Sequence, residues 1–179
     1  FQQGLPDFSA IINQFKRKRV QVVTGVLAPP DLQNYLQQAA QAGFRPKMYI
    51  IDKGTGYPEP MKAIGKNGEN ILSVNFWSPA FPGKSKFGGH DGTALAAAYE
   101  KDSGIQYAPP LAYVDAQYDV LFDALQRAGS KDKSALKKAL RENNLETVVG
   151  TIKFNDQNFS VTPLGGAQWH DKGGKVVKR

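Results

Sequence analysis

The clearest alternation of hydrophobic and polar positions lies in residues 20–52, and it predicts a strand, a helix and a second strand. The first strand is a short β-branched run, the composition of a buried strand, made of Val20, Val22, Val23 and Val26. A helix face follows, at Leu32, Tyr35, Leu36, Ala39 and Ala40. Residues 48–51 form the second apolar run. Two buried strands joined by a helix predict a parallel pair with a right-handed crossover.

The ends of these elements predict where a ligand would bind. Pro29 and Pro30 stop the first strand, Asp31 is the expected N-cap of the helix, and Gly43 ends it. Ligands of such sheets bind beyond the carboxyl ends of the strands. Here those ends are residues 25–30 and 52–56, which are the first candidate site.

The rest of the first half contains one more helix and one more strand. Periodicity predicts a helix from Asp7 to Lys18, capped by Asp7. Residues 53–70 are rich in glycine and proline and are expected to be irregular, and Ile71–Trp77 is expected to be a strand. The Pro- and Gly-rich stretch 78–89 is the best candidate for a boundary between lobes.

The second half is predicted to be mostly helical, with strands at its end. Helices are expected from Asp91 to Asp102, Leu111 to Ala128 and Asp132 to Asn143. Strands are expected at Thr147–Phe154, Val161–Trp169 and Lys175–Lys178, with turns at 155–158 and 171–174. The helix 111–128 is apolar on most sides, which predicts burial in a core that this chain barely supplies. Its apolar surface predicts self-association or contact with an N-terminal fragment.

Length and composition bound the class of protein. The chain has 179 residues, enough for one domain or two small lobes. It has no cysteine, which excludes disulfides, zinc thiolates and thiol catalysis. No apolar run approaches the roughly 20 residues of a membrane helix. The chain opens at Phe1 without an initiator Met or a signal peptide, so we expect a processed product or a piece of something longer.

The charge is strongly basic, at +7 with a pI of about 9.5, as in many nucleic-acid-binding proteins. The basic residues are scattered, however, apart from Lys16–Arg19 and Lys172–Arg179. Lys16–Arg19 lies at the end of a predicted helix, where cations complement the macrodipole. A solvated structural role is therefore favoured over phosphate binding, and no nucleic-acid partner is predicted.

Signals for catalysis are weak. The chain has no GxSxG, HExxH or P-loop motif. His90 and His170 are each followed by an aspartate, but nothing in the sequence brings them together, so loop or capping roles are expected. Gly54-Thr55-Gly56 is half of a dinucleotide fingerprint without its third glycine. We therefore predict no enzyme, no catalytic residue, no metal and no cofactor.

Aromatic residues at element ends and one lysine are better candidates for ligand contacts. Trp77, Phe81, Tyr57 and Tyr113 lie off the periodic core faces, and such residues often line a concave small-molecule site. For Trp77 and Phe81, packing at an interface between lobes is as good an interpretation as ligand contact. For Tyr113, at the start of a predicted buried helix, ligand contact is slightly favoured. Lys53 directly follows the second strand, where it either pairs with a carboxylate ligand or is a solvated loop lysine.

Several stretches together resemble a known family. DFSAIINQFKRKRVQVVTGVLAPPDLQNYLQQAAQAGFRPKMYIID resembles the second lobe of a type I periplasmic binding protein. The group is the leucine/isoleucine/valine-binding family, receptors of branched-chain amino acid ABC transporters. LAYVDAQYDVLFDALQRAG resembles that family's long first-lobe helix, LKKALRENNLETVVGTIKFNDQN its helix and return strand, and GGAQWHDKGGKVV its terminal hairpin. The resemblance is colinear over nearly the whole chain.

The resemblance implies an α/β fold of two Rossmann-like lobes joined by hinge crossovers, present here as the C-terminal half. Residues 1–75 are expected in the second lobe, 76–150 in the first lobe, and 151–179 back in the second lobe. The missing N-terminal half of the same protein would be a partner. The implied function is a periplasmic solute-binding component of an ABC transporter, delivering an amino acid or a small carboxylate, aromatic ones included, to a permease. The alternative is a ligand-sensing regulatory protein on the same fold.

The resemblance also implies where the ligand would be held in the cleft between the lobes. The family's contacts come from the loops after two second-lobe strands and from an aromatic residue at the start of the long helix. This chain lacks the family's aromatic residue in the first loop, and it has Lys53 beside the expected acidic residue. That departure weighs against an α-amino acid, and Lys53 with Tyr113 and Trp77 would suit an aromatic or aliphatic carboxylate. The expected ligand-binding residues are Leu27, Ala28, Pro29, Asp52, Lys53, Tyr113 and Trp77.

Overall fold

A computed structural model describes residues 1–172 and 175–178 of the chain. Its helices are α1 (Ser9–Arg17), α2 (Pro29–Gln41), α3 (Pro58–Ile64), α4 (Gly92–Ser103), α5 (Pro110–Ala128) and α6 (Lys133–Arg141). Its strands are β1 (Val22–Leu27), β2 (Met48–Lys53), β3 (Leu72–Asn75), β4 (Leu145–Thr147), β5 (Gly150–Ile152), β6 (Gly165–Lys172) and β7 (Lys175–Lys178). Within these residues no helix is long and apolar enough to cross a membrane.

The chain divides into two compact units. Unit 1 contains Phe1–Asn75 and Gly166–Arg179, and unit 2 contains Phe76–Gly165. The segment 151–165, expected to belong with the first part of the chain, lies in unit 2. The reason is that β5 pairs with β4 and that Thr162 is hydrogen-bonded to Tyr113. The stretch 78–89, expected to form the lobe boundary, also lies inside unit 2.

Unit 1 is built on a five-stranded sheet in the order β1-β2-β3-β6-β7. β1 and β2 are parallel, in register from Val22 opposite Met48 to Leu27 opposite Lys53, which confirms the predicted pair. β3 continues the parallel arrangement beside β2. The carboxyl ends of β1 and β2 therefore lie at the same edge of the sheet.

The core of unit 1 follows the predicted periodicity. Its buried members include Phe8 and Ile12 of α1, Leu32 and Leu36 of α2, and Ile51 of β2. β1, however, is not buried on both faces as expected. Val23 and Leu27 face the core, whereas Val22 and Val26 are 51% and 63% exposed. β1 is the edge strand of its sheet, and only its Val23–Leu27 face is packed against the helices.

The predicted cap of α2 is wrong. Asp31 does not cap α2, because the helix begins two residues earlier, after Ala28. Pro29 and Pro30 occupy the first helical positions, where the N–H that proline lacks has no intrahelical partner in any case. Asp31 is buried instead, and its carboxylate accepts a hydrogen bond of 3.0 Å from the Gly4 N–H.

The stretch 53–70 is not irregular throughout. It contains α3 and a 3-10 turn at Gly65–Gly68. The short helix is stable in a Pro- and Gly-rich context because Pro58 starts it and because Met61 and Ile64 are buried on one face.

Unit 2 confirms the three predicted helices and their caps. The Asp91 carboxylate accepts a hydrogen bond of 2.8 Å from the Ala94 N–H at the start of α4. Asp132 accepts from the N–H groups of Ser134 and Ala135 at the start of α6. Gly129 ends α5 with a φ of +58°, as a left-handed helix end requires.

The strands near the C-terminus differ from the prediction. The expected single strand at Thr147–Phe154 is a tight hairpin, in which Leu145 of β4 lies opposite Ile152 of β5. Gly150 allows the reversal, with a φ of +97°. The expected strand at 161 begins only at Gly165. A turn is present at 155–158, where Asn158 donates to the Asn155 carbonyl. Of the turn expected at 171–174, Gly173 and Gly174 lie outside the described residues.

The long helix α5 keeps an apolar surface exposed. Its buried side consists of alanines and two aspartates: Ala112, Ala116, Asp119, Asp123 and Ala124. Val114, Tyr118, Leu121 and Phe122 are between 45% and 58% exposed. This apolar surface agrees with the expectation that the chain supplies few partners for the helix.

Candidate functional site

The carboxyl ends of β1 and β2 form a tight junction. Leu27 and Lys53 are opposite each other in the parallel register, and the Gly54 N–H donates a hydrogen bond of 2.7 Å to the Leu27 carbonyl. A Cβ at Gly54 would lie 2.8 Å from that carbonyl oxygen and 3.0 Å from a Leu32 methyl group. The junction therefore requires glycine at this position, and it fixes the first residue after Lys53.

Lys53 adopts an unusual backbone conformation at this junction. Its φ is +64°, in the left-handed region that residues other than glycine seldom occupy. Such a conformation costs about 1–2 kcal/mol and is retained where neighbouring contacts impose it. Here the Gly54 N–H also bonds to the Asp52 carbonyl at 2.9 Å, and the Gly56 N–H bonds to the Lys53 carbonyl at 3.1 Å. The result is a fixed backbone with an exposed lysine side chain at the strand end.

Asp52 supports the turn with its side chain. The Lys53 N–H donates a hydrogen bond of 2.6 Å to one carboxylate oxygen of Asp52. That oxygen is therefore occupied by the backbone of the loop. Asp52 is opposite Val26 in the register and is half-buried, so it lies next to the first loop.

Thr55 anchors the loop to the strands of the sheet. It was not predicted as a site residue. Its hydroxyl bonds to the Ile51 carbonyl at 2.6 Å and to the Ser73 hydroxyl at 2.9 Å. Its carbonyl accepts a hydrogen bond of 3.0 Å from the Trp169 indole N–H, 114 residues away. The Gly-Thr-Gly sequence, read above as half of a dinucleotide fingerprint, is explained by this packing, because all three residues are buried.

The first loop contributes a half-buried turn with little hydrogen-bonding capacity. Ala28 and Pro29 are half-buried between β1 and α2. A helix N-terminus usually offers free N–H groups to an anion, but Pro29 and Pro30 remove the first two of them. Any negative charge at this junction therefore has to be balanced by a side chain. Lys53 is the cation that the sequence places at this strand end.

Trp77 of unit 2 does not present a surface to a ligand. It is 0% exposed, its indole N–H donates to the Val148 carbonyl at 2.9 Å, and it packs edge-on against Tyr107. Its position near a strand end suggested a ligand contact, but a large ring with a satisfied N–H also makes a stable core residue. We do not include Trp77 among the proposed ligand contacts.

Tyr113 is half-buried and partly engaged. Its hydroxyl donates to the Phe76 carbonyl at 3.1 Å and shares a hydrogen bond of 2.9 Å with the Thr162 hydroxyl. Its ring meets that of Phe76 edge-on at 5.7 Å. The hydroxyl is therefore occupied within unit 2, and only the ring is left to contact a ligand.

A buried acidic row on α5 holds the loop 84–90. Asp119 is buried and accepts hydrogen bonds from the Ser85 hydroxyl, at 3.0 Å, and from the N–H groups of Lys86 and Phe87. Asp123 pairs with the Lys86 ammonium at 2.7 Å and with Arg127 at 2.6 Å. Burial acts to raise the pKa of Asp123, but these two hydrogen-bonded cations outweigh it and the pKa is lowered.

His90 pairs with an aspartate that is not its sequence neighbour. Its Nε2 lies 2.9 Å from Asp115 on α5, whereas Asp91 caps α4. Burial raises the pKa of Asp115, with the nearby His90 opposing the shift. His170 similarly pairs with Glu69 at 3.0 Å. Each histidine is therefore paired with one carboxylate. Among the described residues no cluster of His, Asp or Glu could hold a metal ion.

Comparison with known proteins places the chain in a family. A family model described as periplasmic binding protein matches residues 1–174. The leucine-, isoleucine-, valine-, threonine- and alanine-binding protein of Pseudomonas aeruginosa is 29% identical over 175 residues. That match covers 93% of this chain and 43% of the relative.

Solved structures show the same fold. A leucine-binding protein of Thermotoga maritima superimposes with a TM-score of 0.79 at 23% identity, over 100% of this chain and 49% of that chain. A Rhodopseudomonas palustris solute-binding protein of an ABC transporter, solved with benzoate, gives a TM-score of 0.76 at 14% identity, over 99% of this chain and 47% of that one. These names describe binding proteins, not enzymes.

The chain spans about half the length of the proteins that it matches. Its parallel sheet, with helices between the strands, matches the corresponding half of their structures. The chain therefore belongs to the periplasmic binding protein family and contains about half of that family's type I α/β fold.

Proposed function

We propose that this chain is the C-terminal half of a periplasmic solute receptor that delivers an amino acid or a small carboxylate to an ABC transporter permease. The missing N-terminal half of the same protein completes the receptor. Family membership supports the receptor role. One relative is named for binding leucine, isoleucine, valine, threonine and alanine, and another was solved in complex with benzoate. The observation that carries the proposal is the strand-end junction of β1 and β2, with Lys53 at its edge.

The chemistry of the junction favours a carboxylate group in the ligand. Lys53 supplies an exposed positive charge on a backbone that its neighbours hold in a strained conformation. Two prolines remove two of the N–H groups that the adjacent helix start would otherwise offer, so the lysine ammonium is the charged donor that a carboxylate would meet. Leu27, Ala28 and Pro29 provide apolar contacts beside it.

Whether the ligand also carries an ammonium group depends on Asp52. One of its carboxylate oxygens already accepts a hydrogen bond of 2.6 Å from the backbone N–H of Lys53. This reduces the capacity of Asp52 to bind the ammonium group of a ligand. This arrangement supports an aliphatic or aromatic carboxylate over an α-amino acid, and the Tyr113 ring stays a predicted contact for its apolar part.

The test is ligand binding by the full-length receptor, measured by isothermal titration calorimetry. The panel includes leucine, isoleucine, valine, benzoate and 4-hydroxybenzoate. We expect one of these classes to bind, and the Lys53→Gln variant to bind the same ligand about tenfold more weakly, the loss of about 1.4 kcal/mol that one charge-assisted hydrogen bond represents.

A matched control removes a lysine charge elsewhere. Lys101→Gln, on the exposed side of α4, should bind like the wild type. Equal affinity of the wild type and Lys53→Gln for a carboxylate would remove Lys53 from the site. No heat from any amino acid or organic acid would contradict the receptor role itself.

A further inference from the structure

Unit 1 has a basic pocket at the opposite end of β2 from Lys53. Arg45, Lys47 and Lys66 line a cavity of about 270 Å³, together with Tyr49 and Asn67. β2 begins at Met48 and ends at Lys53, so the two sites are separated by about 20 Å of extended strand. The basic pocket is therefore distinct from the proposed carboxylate site.

The basic pocket has no acidic partner among the side chains that the structure describes, residues 1–170. Within that range no ion pair joins a carboxylate to Arg45, Lys47 or Lys66. Glu69, the acid that lines the same cavity, is paired with His170 at 3.0 Å. Exposed cations gathered around a concavity without counter-charges favour an anionic occupant.

More positive charge lies at the same end of the unit. The Lys16 ammonium donates to the Ala42 carbonyl at 2.5 Å, and the Phe15 and Phe44 rings are 6.1 Å apart. These contacts bring Lys16–Arg19 next to the loop that carries Arg45. That run supplies four cations and the basic pocket supplies three. Sequence alone does not show this gathering, because residues 16–19, 45–47 and 66 are far apart in the chain.

Helix ends explain only part of this charge. Lys16 and Arg17 lie in the last turn of α1, where cations complement the macrodipole. α2 has no basic residue in its last turn, and Arg45 and Lys47 lie beyond its end in the loop before β2. The residues of the basic pocket are therefore left without a structural counter-charge.

The size and the donors of the cavity fit a compact anion. Pockets for drug-sized ligands are typically about 300–1,000 Å³, and this one is slightly smaller. Arginine offers the planar fork that binds phosphate oxygens in pairs, and lysines add point charges. Arg45 and the half-buried Tyr49 both line the cavity.

We propose that the basic pocket of Arg45, Lys47 and Lys66 binds a phosphoryl group, presented either by a soluble phosphate compound or by the headgroup of an anionic phospholipid. The site is independent of the proposed solute-binding role, since it lies at the other end of the sheet. Unit 1 would then have a second binding site, selective for anions.

Calorimetry on the full-length receptor tests the soluble source. Pyrophosphate is titrated at constant ionic strength, with sodium chloride as the compensating salt. We expect saturable binding that weakens about tenfold in Arg45→Gln and in Lys66→Gln, which corresponds to about 1.4 kcal/mol for each donor. Lys131→Gln, an exposed lysine of unit 2, is the matched control and should bind like the wild type.

Co-sedimentation with vesicles tests the lipid source. We compare vesicles of phosphatidylglycerol and phosphatidylcholine mixed in equal parts with vesicles of phosphatidylcholine alone. Binding to the anionic vesicles that Arg45→Gln and Lys66→Gln reduce, and Lys131→Gln does not, would assign the site to a headgroup. Saturable pyrophosphate binding without vesicle binding would assign it to a soluble phosphate.

Two results would overturn the proposal. One is the absence of both saturable pyrophosphate binding and anionic-vesicle binding. The other is an equal effect of Lys131→Gln and of the pocket substitutions, which would indicate a response to net charge alone. Circular dichroism and binding of the carboxylate ligand confirm that each variant is folded, since these exposed residues lie outside the Lys53 site.

Discussion

Replacing Gly54 with alanine should disrupt the junction on which the proposed site depends. The added Cβ would lie 2.8 Å from the Leu27 carbonyl oxygen and 3.0 Å from a Leu32 methyl group, both closer than normal contacts. Relief requires the two strand ends to separate, which weakens the 2.7 Å hydrogen bond from the Gly54 N–H to Leu27. Overpacking costs about 1–3 kcal/mol and a lost hydrogen bond about 1 kcal/mol. We therefore expect a destabilisation of about 2–4 kcal/mol.

Two measurements on the full-length receptor report this effect. Urea denaturation gives the change in stability of Gly54→Ala. Hydrogen exchange measured by mass spectrometry should show faster exchange in residues 25–30 and 52–56. Gly166→Ala is the matched control, because a Cβ there meets no atom within 4 Å. The control should be neutral or slightly stabilising, since alanine reduces the entropy of the unfolded chain.

The same variant tests the link between the junction and binding. Gly54→Ala should reduce the affinity for the carboxylate ligand as well as destabilise the junction, whereas Gly166→Ala should do neither. The reasoning would be refuted if Gly54→Ala were as stable as Gly166→Ala and exchanged at the wild-type rate in residues 52–56.

Four further variants test other contacts. Lys53→Gly should stabilise the protein by about 1 kcal/mol in urea denaturation, because glycine removes the cost of about 1–2 kcal/mol of the left-handed backbone. The same variant should bind the carboxylate ligand more weakly. A loss of stability would contradict this prediction. Asp119→Ala leaves three donors of the loop 84–90 without an acceptor and should lower the free energy of unfolding by about 2–3 kcal/mol. The exposed Asp102→Ala should change it little. Equal values for the two variants would show that Asp119 does not hold the loop. Burial raises the pKa of Asp115, so its charged form is disfavoured on folding and its own contribution to stability should fall as pH rises from about 4. Asp115→Asn should remove that fall in thermal melts taken across pH, and an unchanged slope would count against it. Phe122→Ser should reduce self-association of the isolated chain in sedimentation velocity, because Phe122 is 48% exposed on the apolar side of α5; an unchanged distribution would argue against that surface.

Local patterns predicted the elements that depend on nearby residues. The spacing of apolar residues in α2, the capping carboxylates Asp91 and Asp132, and the parallel pairing of β1 with β2 all follow from residues close in the chain. The same reasoning failed where two local signals competed. The prolines before Asp31 were read as strand breakers, but they also suit the first helical positions.

The missed features depend on residues that are distant in sequence. The Thr55 carbonyl accepts a hydrogen bond from Trp169, 114 positions away. The buried Trp77 donates one to the Val148 carbonyl, 71 positions away. Neither contact leaves a periodic pattern in the sequence. The exposed face of β1 could not be predicted either, because a valine-rich strand has the same composition in the centre and at the edge of a sheet.

The proposed site follows from the topology of the sheet, and its details follow from the geometry of the two strand ends. The rule that ligands bind beyond the carboxyl ends of parallel strands pointed to residues 25–30 and 52–56. The left-handed backbone of Lys53 and the occupied oxygen of Asp52 became apparent only in three dimensions. Those two details add to the preference for a carboxylate over an α-amino acid that the sequence had already suggested.

The central claim is that the strand-end junction of β1 and β2 binds the ligand of the full-length receptor. Hydrogen exchange measured by mass spectrometry, with and without a saturating ligand from the calorimetric panel, tests it most directly. The account predicts slower exchange on binding in residues 26–29 and 52–56, and no change at the basic pocket around residues 44–47. Unchanged exchange in both strand-end loops, with the ligand bound, would contradict it.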